Sequence, residues 1–183
     1  MRGLYLLLSF CLVSAAGSNA LAGGTKIDVH AAGFFSEMIS RSAVQYEQLL
    51  AAAEREQSAA RPFPKRFQNG KRAYVAASDW CSGFFPGSLW FLYEGTGDAK
   101  WRAAAERWTK KLEKIRHYNG NHDIGFMLMT SYGNQLRLTG DRSCEPILRD
   151  GAAALVTRYR AQADVIQSWP IWRGDWRCPV IID

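Results

Sequence analysis

Apolar residues recur at helical spacing through most of the chain. Ile39, Ala43, Tyr46, Leu50 and Ala53 lie three or four residues apart, so residues 33–57 are predicted to form an amphipathic helix. Residues 61–70, with Pro62, Pro64, Asn69 and Gly70, read as a loop. A second helix is predicted over residues 83–93, with Pro86 tolerated in its first turn and Gly95 and Gly97 stopping it. Asp98 caps a third, which carries Trp101, Ala105, Trp108, Leu112 and Ile115 on one stripe. After a turn at residues 119–121, His122 or Asp123 opens a fourth helix that runs to residue 138, with Phe126, Met129, Tyr132, Gly133 and Leu136 along it. Asp141 caps a fifth, bearing Ile147, Leu148, Leu155, Val156 and Tyr159. Residues 161–179 read as a long loop that contains Trp169, Trp172 and Trp176. No strand alternation of useful length is visible. The pattern predicts an all-α chain with short links that favour antiparallel neighbours.

One helical hairpin is written twice. Thr96-Gly97-Asp98 returns as Thr139-Gly140-Asp141, an offset of 43 residues. At the same offset Ser88 answers to Ser131, Leu92 to Gln135 and Trp80 to Asp123. A period in this range marks stacked helix pairs, which can close into a toroid. The even-numbered helices are rich in Gly and aromatics and poor in charge, whereas the odd ones carry the Lys, Arg and Glu. That asymmetry suggests an inner and an outer ring. Loops at one end of such a ring gather into one cleft, and the Trp, His and Asp residues fall in those loops.

The first residues stand apart. Arg2, the apolar run over residues 4–13 and Ala20-Leu21-Ala22 read as a secretory signal over residues 1–22, too short to anchor in a membrane. The expected domain is residues 23–183, about 160 residues and enough for one core. Export to the periplasm or the medium follows as an expectation. Cys81, Cys144 and Cys178 remain after cleavage, too few for a disulfide framework, so buried free thiols are expected. The net charge of +6 is scattered, and the densest group, Lys110, Lys111, Lys114 and Arg116, reads as a solvated helix face. Neither a nucleic-acid motif nor a metal-ligand spacing is present, so neither partner and no cofactor is expected.

Two acids are candidates for chemistry. Asp123 is either a helix cap or a site residue; Asn121 is also available as a cap, and Gly125 and Phe126 follow as a small residue and a ring that could shape a pocket floor. Asp183 is either a solvated end or the second acid. His122 is either an exposed loop residue or a donor to a substrate carboxylate, and without a second His nearby it suggests no metal site. Trp80, Trp169, Trp172 and Trp176 are core residues or a saccharide platform. Three Trp in one loop exceed what its packing needs, and an indole face stacks on a sugar ring.

The run Asp79-Trp80-Cys81-Ser82-Gly83-Phe84-Phe85-Pro86-Gly87-Ser88-Leu89-Trp90, with Leu92-Tyr93-Glu94 before Thr96-Gly97-Asp98, resembles the unsaturated glucuronyl hydrolases of glycoside hydrolase family 88. His122-Asp123-Ile124-Gly125-Phe126, Ser131-Tyr132-Gly133-Asn134, Ser168-Trp169 and Pro179-Val180-Ile181-Ile182-Asp183 resemble that family in the same order. The resemblance implies an α/α toroid of six hairpins, of which this chain supplies about the first half. It implies removal of the 4,5-unsaturated uronic acid that polysaccharide lyases leave at a non-reducing end, by hydration of its vinyl ether. It also implies that Asp183 donates the proton and then activates water, that Asp123 is the charged partner, and that Trp80, His122 and Trp169 bind substrate. Proton donation to an enol-ether carbon needs a carboxylic acid still neutral near working pH, which burial and a neighbouring carboxylate both favour.

The family's toroid needs roughly twice this length, and the pocket residues of its later hairpins have no counterpart here. The chain is therefore expected to show little or no activity alone, as a fragment. The expected partners are unsaturated uronyl oligosaccharides derived from glycosaminoglycan or pectin. The rival expectations are an unsaturated rhamnogalacturonyl hydrolase of the same fold, a non-catalytic glycan-binding remnant, and a plain helical structural module.

Overall fold

Helices dominate the computed structural model, which describes residues 29–170 and 177–181. The first helix, α1 (Val29–Glu56), is the predicted amphipathic one. Its inner face buries Ala52 and Ala53 and stacks Tyr46 on Phe85, ring centroids 6.2 Å apart. None of the described helices is long and apolar enough to cross a membrane.

Residues 61–70 are not simply a loop. Strands β1 (Phe63–Gln68) and β2 (Lys71–Val75) pair as an antiparallel hairpin. Asn69 and Gly70 form its turn, both with positive φ (51° and 73°). An Asn-Gly pair in this conformation matches the twist of paired strands, so the turn signal specifies a hairpin. The alternation was invisible because β1 buries little beyond Phe63 and Pro64; Phe63 meets Trp108 edge-on at 6.0 Å.

α2 (Phe84–Thr96) and α3 (Ala99–Lys110) form the first complete helical hairpin. Gly95 does not stop α2; Gly97 does, at φ 69°. Asp98 caps α3 as predicted, accepting the Lys100 N–H. Trp101 and Trp108 on α3 and Trp90 on α2 are fully buried, and Trp90 Nε1 donates to Thr109 Oγ1 at 3.0 Å. Leu112 and Ile115 are buried too, beyond the α-helix, around a 3-10 turn (Glu113–Ile115).

The predicted fourth helix is broken into α4 (Ile124–Leu128), a π-helical turn (Met129–Gly133) and α5 (Asn134–Thr139). Side chains compete for its carbonyls. Thr130 Oγ1 donates to the Phe126 carbonyl, Ser131 Oγ to that of Met127 at 2.6 Å, and Asn134 Nδ2 to that of Thr130 at 2.8 Å. Such back-bonding weakens the regular ladder and admits the wider turn. The next helix, α6 (Cys144–Val156), starts after Ser143; Asp141 lies just upstream and accepts the Ser143 N–H at 3.0 Å. Tyr159 leaves the helix altogether. It begins a short hairpin, β3 (Tyr159–Arg160) with β4 (Val165–Ile166), inside the predicted long loop.

The repeat is reproduced bond for bond. Gly97 and Gly140 are both left-handed helix ends (φ 69° and 71°), donating to the Tyr93 and Leu136 carbonyls. Thr96 Oγ1 reaches the Leu92 carbonyl and Thr139 Oγ1 the Gln135 carbonyl, each at 2.6 Å. The two inner segments meet through glycine. A Cβ on Gly83 would lie 2.3 Å from the Phe126 carbonyl oxygen, and one on Gly87 2.8 Å from that of Thr130. This contact sets the starts of α2 and α4 side by side.

The three described cysteines are free. Cys144 is buried as expected, but Cys81 and Cys178 are only half-buried.

Candidate active site

The start of α4 brings the candidate residues into view. Asp123 sits at the N-cap position but makes no capping bond with its side chain; Asn121 Oδ1 instead takes the Asp123 N–H at 3.0 Å. The alternative cap named by the sequence is thus the one that serves the turn, and the Asp123 carboxylate points elsewhere. His122 Nε2 lies 3.5 Å from Asp123 Oδ1. Both side chains are mostly buried, at 16% and 15% exposure, so His122 is no solvent-facing loop residue. The His122 ring meets Trp169 edge-on, centroids 5.8 Å apart, which draws in a residue 47 positions later.

A short ladder of hydrogen bonds makes that approach. The His122 N–H donates to the Ser168 carbonyl at 2.8 Å, and the Ser168 N–H to the Pro179 carbonyl at 2.8 Å. Ser168 Oγ accepts the Ile181 N–H at 2.9 Å. Ser168 is fully buried and joins three stretches of chain. Asp183, the second acid, lies outside the described residues, as do Trp172 and Trp176.

An aromatic wall runs from the loop before α2 to α4. Trp80, 47% exposed, meets Phe84 edge-on at 5.7 Å, and Phe84 meets Phe126 at 5.8 Å. All three rings are partly open to solvent. The loop behind Trp80 is fixed by Asp79. Its carboxylate accepts Lys65 Nζ at 3.0 and 2.9 Å, the Cys81 N–H at 3.2 Å and the Cys81 thiol at 3.0 Å. Burial pushes the Asp79 carboxyl up, but these bonds more than offset it and hold the group below its usual value. Burial and the bond to Asp79 push the Cys81 thiol up to about 12, so it stays protonated and donating.

Sequence reasoning passed over Phe84 and Lys65. Phe84 carried a signal, as a second ring four residues after Trp80 in the same run. Lys65 carried none, since it looks like one more scattered cation. Among the described residues no group of three or more His, Cys, Asp and Glu side chains could hold a metal ion. The basic group at the end of α3 lines a separate open cleft of about 610 Å³ with Gln57 and Pro62. It is only partly a solvated face: Arg116 pairs with Asp150, and Lys111 lies 4.3 Å over the Trp108 ring.

No protein-family model matches the chain. The unsaturated glucuronyl hydrolase of Formosa agariphila is 37% identical over 110 residues, which are 60% of this chain and 28% of that protein. The crystal structure of an unsaturated glucuronyl hydrolase specific for heparin superposes with a TM-score of 0.69 at 35% identity, over 80% of this chain and 38% of that one. A UGL structure with dGlcA-Glc-Rha-Glc superposes at 0.59 and 30% identity, over 70% of this chain and 35% of that one. The chain is thus similar to the unsaturated glucuronyl hydrolases over most of its own length while spanning well under half of theirs. Its helices are arranged as part of the (α/α)6 toroid of those structures, as the sequence predicted.

Proposed function

We propose that this protein is a glycoside hydrolase that removes 4,5-unsaturated uronic acid from the non-reducing end of lyase-generated oligosaccharides. The observation that carries the reading is the Ser168 ladder. It bonds the backbone of residues 179–181, which leads directly to Asp183, to the backbone of His122, next to Asp123. The reading pairs the Asp123 carboxylate, which caps no helix, with that of Asp183 as the two acids of the site.

In this scheme Asp183 starts protonated and gives its proton to C4 of the unsaturated ring. Positive charge develops at C5 and is shared with the ring oxygen. Asp123 stays ionised and stabilises that cation. The Asp183 carboxylate then takes a proton from water as the water oxygen bonds to C5. The hemiketal so formed opens to a ketone at C5. The hemiacetal left at C1 collapses to an aldehyde and releases the rest of the oligosaccharide. Trp80 stacks on sugar, and Trp169 with His122 shapes the wall beside the polar groups of the substrate.

Acidic oligosaccharides of more than one backbone are the class to test, since one solved neighbour is specific for heparin and another holds dGlcA-Glc-Rha-Glc. The full-length protein should abolish the ultraviolet absorbance of an unsaturated disaccharide, and Asp183→Asn should stop it. Turnover of pectin-derived disaccharides only would favour the rhamnogalacturonyl specificity. Binding by calorimetry with no absorbance change would favour a glycan-binding remnant. We also place the mature protein outside the cytosol. The signal over residues 1–22 lies outside the described residues; N-terminal sequencing of the mature protein should begin near Gly23.

A further inference from the structure

We propose that the open cleft at the end of α3 is a second binding site, one that takes the carboxylate and sulfate groups of an acidic glycan. The cation site rests on the cleft itself, and the choice of a glycan rests on the function proposed above. The cleft holds about 610 Å³ between the end of α1, at Gln57, and the stretch from Lys110 to His117. Four cations line it, Lys110, Lys111, Lys114 and Arg116, against one acid, Glu113. The acids around them serve Arg116 first. Its Nε donates to Asp150 Oδ2 at 2.6 Å, and its Nη1 lies 4.0 Å from Glu113 Oε1. His117 Nε2 also approaches Asp150, at 3.7 Å. Glu54, on α1, accepts from Arg107 at 2.9 Å. The side chains of Lys110 and Lys114 are exposed and make no hydrogen bond or ion pair among the described residues.

Lys111 is the fastened member of the group. Its side chain is half-buried, donates from Nζ to Gln57 Oε1, and lies 4.3 Å over the Trp108 ring. A neutral amide and a ring leave the ammonium without a counter-charge, which is costly for a group drawn out of water. Burial holds it below its usual value; Lys114 and Arg107 add to this, and Glu54 opposes it. An anion in the cleft would supply what is missing and would meet Lys110 and Lys114 as well. The place of the cleft fits the proposed substrates. Trp108 meets Phe85 edge-on at 4.8 Å, and Phe85 lies in the first turn of α2 beside Phe84 of the aromatic wall. The end of α3 and the start of α2 are thus neighbours, and the cleft opens at the end of this helical hairpin that carries the wall. A glycan with anionic groups spaced along it can engage several lysines at once on their flexible stems. A single nucleic-acid strand fits less well. Trp108 is buried, and among the described lining residues only His117 offers a ring, so its bases would find no platform to stack on.

The test is calorimetry of the full-length protein with a heparin hexasaccharide that has no 4,5-double bond, so that binding does not depend on turnover. The double variant Lys110→Ala, Lys114→Ala should raise Kd by at least about tenfold, as charge-assisted bonds are lost, and should flatten its dependence on salt. The double variant Arg41→Ala, Arg142→Ala removes the same charge, from the first half of α1 and from beyond the Gly140 helix end. It should change Kd by less than about twofold, because charges that far away are screened. Equal weakening by the two pairs overturns the site, since binding would then follow net charge alone. Inorganic sulfate at the same concentration of sulfate groups should displace little of the hexasaccharide; full displacement would mean a site for a free anion and not for a glycan. Tighter binding of a DNA oligonucleotide of equal charge would overturn the glycan assignment. A second measurement needs no variant. The hexasaccharide should protect Lys110 and Lys114 of the unaltered protein from acetylation, read by mass spectrometry, and absence of protection overturns the site. A protein inactive on every unsaturated uronide that still binds through these lysines removes the hydrolase reading and keeps the cleft. Turnover with neither lysine dependence nor protection does the reverse.

Discussion

Glu94 and Arg137, one repeat length apart, clasp each other through two hydrogen bonds of 2.6 and 2.7 Å. They hold equivalent positions on successive inner segments, α2 and α5, so the pair staples one repeat to the next. Glu94 is 12% exposed and Arg137 39%. Two parallel bonds to a mostly buried carboxylate place this pair above ordinary surface ion pairs. A double-mutant cycle with Glu94→Gln and Arg137→Met, read by urea denaturation, should give a coupling of about 1 kcal/mol. A coupling indistinguishable from zero would show that the repeats associate through apolar packing alone.

Gly83 makes the close approach between α2 and α4. A methyl group there would meet two backbone carbonyls at 2.3 and 2.4 Å, and backbone cannot step aside as a flexible side chain can. Gly83→Ala is expected to cost at least about 2 kcal/mol in denaturation and to disturb the start of α4, where Asp123 sits. Gly125→Ala is the control, since nothing lies within 4 Å of a Cβ at that position. Equal stability of the two variants would contradict the packing described.

The Asp123 side chain makes no helix-capping bond, so the start of α4 does not depend on it. Asp123→Asn, nearly the same size, should still fold, as circular dichroism checks. Turnover of unsaturated uronides by the full-length protein should fall at least ~100-fold, the scale seen when charge stabilisation is removed from a transition state. A variant that keeps its rate would end the assignment of Asp123 as the charged partner.

Acid stability reports on the Asp79 anchor. Burial raises its carboxyl, but the bonds from Lys65 and Cys81 prevail and hold it below its ordinary value. A group whose folded value is depressed adds stability above its unfolded value, about 3.9, and that contribution fades as pH falls through the lower folded value. Lys65→Met should therefore lower stability near neutrality, and the gap to the unaltered protein should close below about pH 4. A gap that persists unchanged at pH 3 would mean that Lys65 acts through packing against Trp80, which it overlies at 5.7 Å, and not through Asp79.

Helices α1, α3 and α6 were legible because each buries one stripe against the core, and the 43-residue offset was legible because helix ends reuse the same Thr-Gly-Asp hydrogen bonds. The β1–β2 hairpin was not, since most of β1 is exposed, Phe67 included, so burial imposes no apolar alternation and only the Asn69-Gly70 turn announces it. The π-helical turn was hidden because hydroxyl back-bonding from Thr130 and Ser131 leaves the apolar spacing intact. Of the site, Asp123, His122, Trp80 and Trp169 stood out by residue type and place. Lys65 did not, because its worth lies in the Asp79 carboxylate, 14 residues away in sequence.

The central claim is that two acids hydrate a vinyl ether, and the reaction run in deuterium oxide tests it most directly. The full-length protein given an unsaturated uronyl disaccharide should yield an open-chain keto product with one deuterium at C4, and neither Asp123→Asn nor Asp183→Asn should yield it. Release of the second sugar with the double bond intact and no deuterium at C4 would mean attack at the anomeric carbon, and would contradict the account.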